Sequence, residues 1–225
     1  MTGFYDEHSK VWLAVDCIIF GFDEGQLKIL IGRRQMNPGR GEWSLYGGFV
    51  RGDESVDDAA GRVLYELTGI KTLYMRQVGA FGKIDRDPGE RVVSIAYYVF
   101  INVKDYDDRM RLERNLMWVD IKDIPPLYSD HNEMVEKALK MMRQKMSTEP
   151  VAFRLLPNLF TLTQLQHLYE VVYGVALDKR NFRKRIKDIN CIEKTELIDK
   201  SGSKRGAALF RFNKKLYDET LHFKL

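Results

Sequence analysis

The first half of the chain contains hydrophobic runs whose length and composition predict β-strands. These runs are rich in β-branched and aromatic residues, and turn-forming residues separate them. The predicted strands cover residues 11–20, 27–31, 73–81 and 92–103, with a turn over residues 21–25. A helical pattern lies between the second and third strands, so we predict a layered strand-helix-strand domain.

Two amphipathic helices accompany these strands. The first ends before Gly69, a natural C-terminal stop, and its apolar face comprises Val56, Ala60, Val63, Leu64 and Leu67. The second covers residues 130–146, with Met134, Ala138 and Met141 on one face and either Ser129 or Asp130 available as its N-cap. A short polar segment over residues 147–150 ends in proline. We therefore predict two domains, residues 1–147 and residues 148–225.

The C-terminal domain has the pattern of a winged helix-turn-helix. A helix begins at the potential cap Thr161 and ends at Gly174, and a second helix runs from the cap Asp178 through Asn190. Two strand-like runs follow at residues 192–198 and 207–212, joined by a polar loop. In the second helix, Phe182, Ile186 and Ile189 share the apolar face, which leaves the basic residues largely on the opposite face.

Charge is distributed unevenly between the two halves. The whole chain has a net charge of +4, but residues 150–225 hold 15 Lys and Arg against 8 Asp and Glu, a net +7. Residues 1–149 hold 21 basic against 24 acidic residues. Such asymmetry is typical of a local surface that binds a polyanion.

The basic helix predicts double-stranded DNA as a partner. Phosphates are contacted mainly by Lys and Arg, whereas Arg, Asn and Gln read base edges. Arg180 and Asn181, in the first turn, are the candidate base-reading residues. The other candidate DNA contacts are Lys179, Arg183, Lys184, Lys187, Lys204 and Arg205. An isolated basic helix is often only a solvated surface, but a preceding helix, a turn and a basic hairpin favour DNA binding here.

The same segment resembles the C-terminal domain of the Nudix-related, NrtR-like transcriptional regulators. The matching runs are LLP at residues 155–157, FTLTQLQHLYE at residues 160–170 and LDKRNFRKRI at residues 177–186. The resemblance implies a homodimer that places two recognition helices on a palindromic operator.

The N-terminal half resembles a Nudix domain, the fold of metal-dependent pyrophosphohydrolases. Gly48, Glu54, Arg62, Leu64, Glu66, Gly69 and Ile70 occupy positions of the Nudix signature. Val63 and Leu67 replace two of the three helix glutamates that the signature requires. Because Mg²⁺ needs clustered oxygen ligands, we predict an α/β/α Nudix sandwich with no catalytic residues, no metal and no cofactor.

A Nudix fold without its catalytic acids suits a sensor of a small molecule. The resemblance implies either a sugar or ADP-ribose as effector, and the altered signature is most similar to the arabinose-responsive AraR type of Bacteroides-like bacteria. We therefore predict a repressor of carbohydrate metabolism that senses L-arabinose; the alternatives are an ADP-ribose-sensing regulator of NAD metabolism and an active Nudix hydrolase. The candidate effector-binding residues are Arg33, Trp43, Tyr46, Glu66 and Lys83.

The remaining features indicate the compartment. The chain has no basic-apolar leader and no apolar run long enough to span a bilayer, so we expect a cytoplasmic protein without membrane contact. Cys17 and Cys191 lie singly in apolar stretches, which favours buried thiols over a disulfide or a metal site.

Overall fold

The computed structural model describes residues 3, 7–69, 71, 74–101, 103, 115–201 and 205–220. Seven strands of this part form one sheet, with β3-β2-β1-β6-β5 along the main path, while β4 pairs with β1 and β7 pairs with β2. The strands are β1 (Trp12–Asp23), β2 (Gln26–Arg33), β3 (Trp43–Ser44), β4 (Tyr46–Phe49), β5 (Met75–Phe81), β6 (Val92–Ile101) and β7 (Leu116–Asp120). The four predicted strands are present in the described residues, whereas residues 73 and 102 of the predicted strands lie outside them. The prediction omits β3, β4 and β7, because two to five residues are too few to show a clear period.

The turn between β1 and β2 is shorter than predicted. Strand β1 continues to Asp23, and only Glu24 and Gly25 connect it to β2. Both turn residues have positive φ, 50° and 77°, the conformation that matches the twist of two hairpin strands. Gly21 therefore lies within the strand and does not begin the turn.

Helix α1 (Val56–Thr68) forms as predicted and packs against β4. Its N-terminus is closed by a capping box, in which the Asp58 backbone N–H donates to Ser55 Oγ at 3.1 Å. Its C-terminus is closed by Gly69 at φ 69°. Val63 and Leu67 are 2% and 1% exposed, so their side chains belong to the core between helix and sheet.

Helix α2 (His131–Met146) begins one residue later than predicted, and the Asp130 carbonyl accepts its first backbone hydrogen bond, from Met134 at 3.1 Å. Ser129 Oγ donates to the carbonyl of Arg86, and the Asp130 carboxylate accepts from the Arg86 guanidinium. The buried face contains Met142 in place of the predicted Met141. The Asp130 carboxylate, at the start of α2, therefore takes part in a polar cluster with Arg86.

The C-terminal part has the predicted winged helix-turn-helix order. Its helices are α3 (Leu162–Tyr173), α4 (Lys179–Lys187) and α5 (Lys214–Thr220), and its strands are β8 (Phe160–Thr161), β9 (Ile192–Asp199) and β10 (Ala207–Phe212). Strand β10 lies between β8 and β9, antiparallel to both. A 3-10 helix (Pro150–Arg154), β8 and α5 are additions that the sequence pattern did not predict.

The predicted helix caps of this part are confirmed. Thr161 forms a capping box with Gln164, Gly174 ends α3 at φ 70°, and the Asp178 side chain accepts from the Asn181 backbone N–H. Helix α4 ends at Lys187, three residues before the predicted end, and Asp188 follows as its C-cap. The helices α3 and α4 are therefore set by local sequence signals.

An aromatic core holds the winged helix together. The Phe153 ring stacks on Phe212 at a centroid distance of 4.6 Å and lies 5.4 Å from Phe160, while Tyr169 contacts Phe182 at 5.9 Å. Tyr169 also donates from its hydroxyl to the Met146 carbonyl at 2.8 Å. These contacts fix the buried side of α4 and leave its opposite side exposed.

The chain divides into two compact units, and each unit is made of several separate segments of the sequence. The first lies within residues 1–19, 30–99 and 106–138, and the second within residues 20–29, 100–105 and 139–225. The domain limits 1–147 and 148–225 remain a prediction. Both cysteines are buried free thiols. Each helix of the described residues is too short or too polar to cross a membrane.

Candidate DNA surface and effector cavity

The exposed face of α4 carries the predicted DNA-contacting residues. Phe182 and Ile186 are 5% and 3% exposed and anchor the helix. The exposed residues are Lys179, Arg180, Asn181, Arg183, Lys184 and Lys187, together with Arg185, which was not among the candidates. Arg205 is exposed beside β10, whereas Lys204 lies outside the described residues. Contact of these residues with DNA remains a prediction.

The turn between α3 and α4 is held by Glu170. Its carboxylate accepts from the Leu177 backbone N–H at 3.0 Å and from Gln166 Nε2 at 2.9 Å, and Gln166 also donates to the Leu177 carbonyl. The backbone hydrogen bond from Leu177, followed by the bond from Gln166, lowers the pKa of Glu170. These bonds fix the direction in which α4 leaves the turn.

A cavity of about 440 Å³ lies in the first unit, within the size range of small-molecule sites. Its wall includes Asp16 from β1, Arg33 from β2 and residues of β4. Gly47 lies opposite Asp16 in the β1–β4 register. A Cβ at Gly47 would lie 2.2 Å from Asp16 Oδ1 and 2.5 Å from the Val15 carbonyl, so only glycine lets β4 approach this closely.

A buried charged cluster forms one wall of the cavity. The guanidinium of Arg86 donates to both Asp130 oxygens, at 3.0 and 2.9 Å, and lies 3.8 Å from Asp16 Oδ2. Asp16 also accepts from Ser94 Oγ at 2.6 Å. Burial acts to lower the pKa of Arg86, but Asp130 and Asp16 outweigh it and the pKa is raised. Arg86 therefore stays cationic between two carboxylates.

His131 joins this cluster as a neutral ring. Burial lowers its pKa, and Arg86 acts in the same direction against Asp16. Nδ1 accepts from the Leu45 backbone N–H at 3.1 Å and lies 3.4 Å from Ser44 Oγ. The proton of the neutral ring is then on Nε2, which lies 3.7 Å from Asp16 Oδ1.

Two arginines at the edge of the cavity cover aromatic rings. The Arg33 guanidinium lies 3.7 Å from the centroid of Trp43, and that of Arg34 lies 4.3 Å from the centroid of Tyr128. Arg33 Nη1 donates to the Gly41 carbonyl at 2.8 Å, and Arg34 Nε donates to the Pro38 carbonyl at 2.5 Å. Each guanidinium is positioned but keeps several N–H donors available.

The predicted effector-binding residues are only partly brought together. Arg33 and Tyr46 line the cavity, and Trp43 supports Arg33. Glu66 and Lys83 are outside the lining: Glu66 contacts arginines on the surface of α1, and Lys83 pairs with Glu133 at 2.6 Å.

The sequence prediction missed four residues at the cavity. These residues are Asp16, Arg34, Arg86 and His131. They are far apart in the sequence and follow no motif, so only the strand pairing reveals them.

The remaining acids of the Nudix signature are bound to arginines. Arg62 donates to both Glu54 oxygens, at 2.9 and 2.6 Å, and its Nη1 lies 3.5 Å from Glu66 Oε2. Arg51 lies 3.6 Å from the other Glu66 oxygen. Within the described ranges, no group of three or more His, Cys, Asp or Glu is arranged to hold a metal ion.

Comparisons with known proteins identify the family. A NUDIX domain model matches residues 10–138, and a model described as the NrtR DNA-binding winged helix domain matches residues 152–212. The ADPR responsive transcriptional repressor NtrR of Acinetobacter baylyi is 35% identical over 92% of this chain and 84% of its own length. The chain belongs to the NrtR family. The predicted Nudix and winged-helix fold and the DNA-binding regulator class are confirmed.

Solved structures and an enzyme also resemble this NrtR-family protein. Shewanella oneidensis NrtR in complex with a 27mer DNA has a TM-score of 0.83 at 28% identity, covering 95% of this chain and 97% of that one. The NUDIX domain of that protein in complex with ADP ribose has a TM-score of 0.53 at 25% identity, covering 63% and 94%. An ADP-ribose pyrophosphatase of Methanocaldococcus jannaschii is 32% identical over 57% of this chain and 73% of its own length. These comparisons do not support the predicted closeness to arabinose-responsive regulators.

Replacing Glu54 with glutamine is expected to remove part of the acid sensitivity of this NrtR-family protein. The hydrogen bond from Arg62 lowers the pKa of Glu54 from 4.5 to about 2. Glu54 therefore stabilises the folded state fully above pH 4.5, and this contribution disappears as the pH falls toward 2. Urea unfolding from pH 7 to pH 2 measures it: E54Q should be less stable than the wild type at pH 7, with the difference vanishing near pH 2.

The matched control is Asp53→Asn. It removes a neighbouring exposed carboxylate that has no hydrogen-bond partner within the described part of the chain. If E54Q and D53N show the same pH dependence, Arg62 does not stabilise the Glu54 carboxylate.

Proposed function

We propose that this protein is a transcriptional repressor whose Nudix domain binds ADP-ribose and thereby changes the affinity of the winged helix for its operator. The observation that carries the proposal is the similarity to an ADPR responsive repressor over 92% of the chain, a span that includes both the cavity and α4. Double-stranded DNA, a palindromic operator and a homodimer are the partners that follow from this proposal. The proposal also includes a cytoplasmic location for the protein.

The chemistry of the cavity favours an anionic effector over L-arabinose. A neutral sugar packs well on an open aromatic face, but the Trp43 and Tyr128 rings are covered by the guanidinium groups of Arg33 and Arg34. These cations attract a phosphorylated ligand. The buried Asp16 and Arg86 supply acceptors and donors beside them, which suits the hydroxyl groups of a ribose.

Hydrolysis of ADP-ribose is the second candidate function, and the similarity to the archaeal pyrophosphatase favours it. The chemistry of α1 opposes it. Val63 and Leu67 offer no ligand, and Glu54 and Glu66 are bound to arginines. We therefore propose binding without cleavage.

Titration of the full-length protein on a labelled duplex from its own gene neighbourhood tests the proposal. We expect ADP-ribose to weaken operator binding by about 5- to 150-fold, the usual range of allosteric coupling, and L-arabinose to have no effect. The effector recovered after incubation with Mg²⁺ or Mn²⁺ should be intact. Failure of ADP-ribose to alter DNA affinity refutes the sensor, release by L-arabinose restores the sugar alternative, and metal-dependent cleavage supports the hydrolase.

A further inference from the structure

The Nudix fold implies a divalent cation that neutralises the diphosphate of its ligand, and the residues of α1 do not fit such an ion. Octahedral Mg²⁺ needs several oxygen ligands at about 2.0–2.1 Å. Val63 and Leu67 are buried hydrocarbon, and the Glu54 carboxylate, only 13% exposed, is held at both oxygens by Arg62. A diphosphate bound by this protein needs another source of positive charge.

Among the described residues, Arg33 and Arg34 differ from the other cavity arginine in that neither forms an ion pair with a carboxylate. Arg86 is paired with Asp130 and Asp16. Within the described residues, no Asp or Glu oxygen lies within 4.0 Å of either the Arg33 or the Arg34 guanidinium, whose hydrogen bonds go to backbone carbonyls. Two arginines without such an ion pair in the described part of the chain thus follow one another at the end of β2, and both line the cavity, whose wall also includes the carboxylate of Asp87.

The loop after β2 holds both guanidinium groups in place before any ligand arrives. The backbone of Arg34 accepts from Gly41 at 2.8 Å and donates to Glu42 at 2.9 Å, which closes the loop over residues 34–42. Stacking on Trp43 and Tyr128 further restricts the two side chains. A guanidinium group that is already held in place can bind two phosphate oxygens at once, and its side chain loses little conformational entropy on binding.

We propose that Arg33 and Arg34 bind the diphosphate of the effector directly and replace the divalent cation of catalytic Nudix proteins. This inference rests on the proposed function, because it assigns the charge-binding part of the same cavity. It predicts that effector affinity is independent of divalent metal.

Calorimetric titration of ADP-ribose into the full-length protein tests the inference, once in EDTA and once in Mg²⁺. The two dissociation constants should agree within about twofold, which corresponds to a difference in binding free energy of only a few tenths of a kcal/mol. Arg34→Gln and Arg33→Gln should each weaken binding in EDTA by about 10- to 100-fold, the loss expected for hydrogen bonds to a charged group. Arg34→Lys keeps the charge but lacks the fork, and should fall between the wild type and R34Q.

The matched control is Arg40→Gln, which makes the same charge change at an exposed residue of the same loop outside the cavity lining. R40Q should bind like the wild type. Thermal unfolding of each variant identifies any that is misfolded, and the Arg33 and Arg34 effects are read from the folded ones.

The outcomes separate the inference from the proposed function. Binding that requires Mg²⁺, or R33Q and R34Q variants that bind like R40Q, overturns the arginine assignment and leaves ADP-ribose sensing intact. No binding of ADP-ribose in either buffer overturns both. Metal-independent binding that is lost in R33Q and R34Q alone supports the inference.

Discussion

Replacing Arg86 with methionine is expected to lower the free energy of unfolding by about 3–5 kcal/mol, the cost of breaking a buried ion pair from one side. Methionine keeps the unbranched, apolar inner part of the side chain and removes the charged guanidinium group. The side chains of Asp16 and Asp130 are only 10% and 8% exposed, and without Arg86 both carboxylates lack their cation. Urea unfolding at pH 7 measures the effect.

Arg40→Met is the matched control for this prediction. It removes an exposed arginine from the same domain and should change stability by no more than about 0.5 kcal/mol. Combining Arg86→Met with Asp130→Asn should recover part of the loss, because the second change removes one of the stranded charges. Equal effects of R86M and R40M would show that the cluster is solvated and does not depend on Arg86.

If the proposed effector binds in this cavity, the same cluster serves both stability and ligand binding. Arg86, Asp16 and His131 form the wall that a bound ribose would face, yet they also hold β1 against the start of α2. A network of buried charges tolerates few changes, because each removed partner leaves another polar group unpaired. Arg33 and Arg34 lie outside this charged network and contact only loop carbonyls and two aromatic rings, which makes them the better targets for testing the proposed effector binding with a smaller loss of stability.

The winged helix was predictable because its signals are local. Capping at Thr161 and Asp178, the stop at Gly174 and the burial of Phe182 and Ile186 depend on residues within one or two helical turns. The end of α4 was predicted three residues too late, since Ile189 continues the apolar period while Asp188 already forms the C-cap. The end of a helix depends on its backbone hydrogen bonds, and the spacing of hydrophobic residues does not predict these bonds.

The cavity was much less predictable because its residues meet through strand pairing and loop folding. Asp16, Arg86 and His131 are separated by 45 or more positions in the sequence and belong to no motif. Trp43 was predicted to contact the effector, but Arg33 lies over its ring and Trp43 is not part of the cavity lining. Glu66 was expected at the cavity from the Nudix signature, whereas the structure leaves it on the surface of α1 beside Arg51 and Arg62.

The largest effect on DNA recognition is expected from the first turn of α4. Neither the Arg180 nor the Asn181 side chain has a hydrogen-bond partner within the described part of the chain, and both are exposed. The N-terminal residues of a recognition helix reach the base edges. Arg180→Ala or Asn181→Ala should therefore cost about 1–3 kcal/mol on the operator and relax the preference at one base position. Fluorescence anisotropy with the operator and its single-base variants measures both effects.

Lys187→Ala is the matched comparison, because Lys187 is an exposed cation at the other end of the same helix. A lysine that contacts phosphate contributes equally to all sequences, so K187A should weaken operator and unrelated duplexes alike. It should also reduce the slope of log affinity against log salt by about 1, since one counterion fewer is released. Lys204, outside the described residues, is predicted to behave like Lys187. If R180A, N181A and K187A lose the same affinity on every duplex, α4 binds DNA through its charge alone and does not read bases.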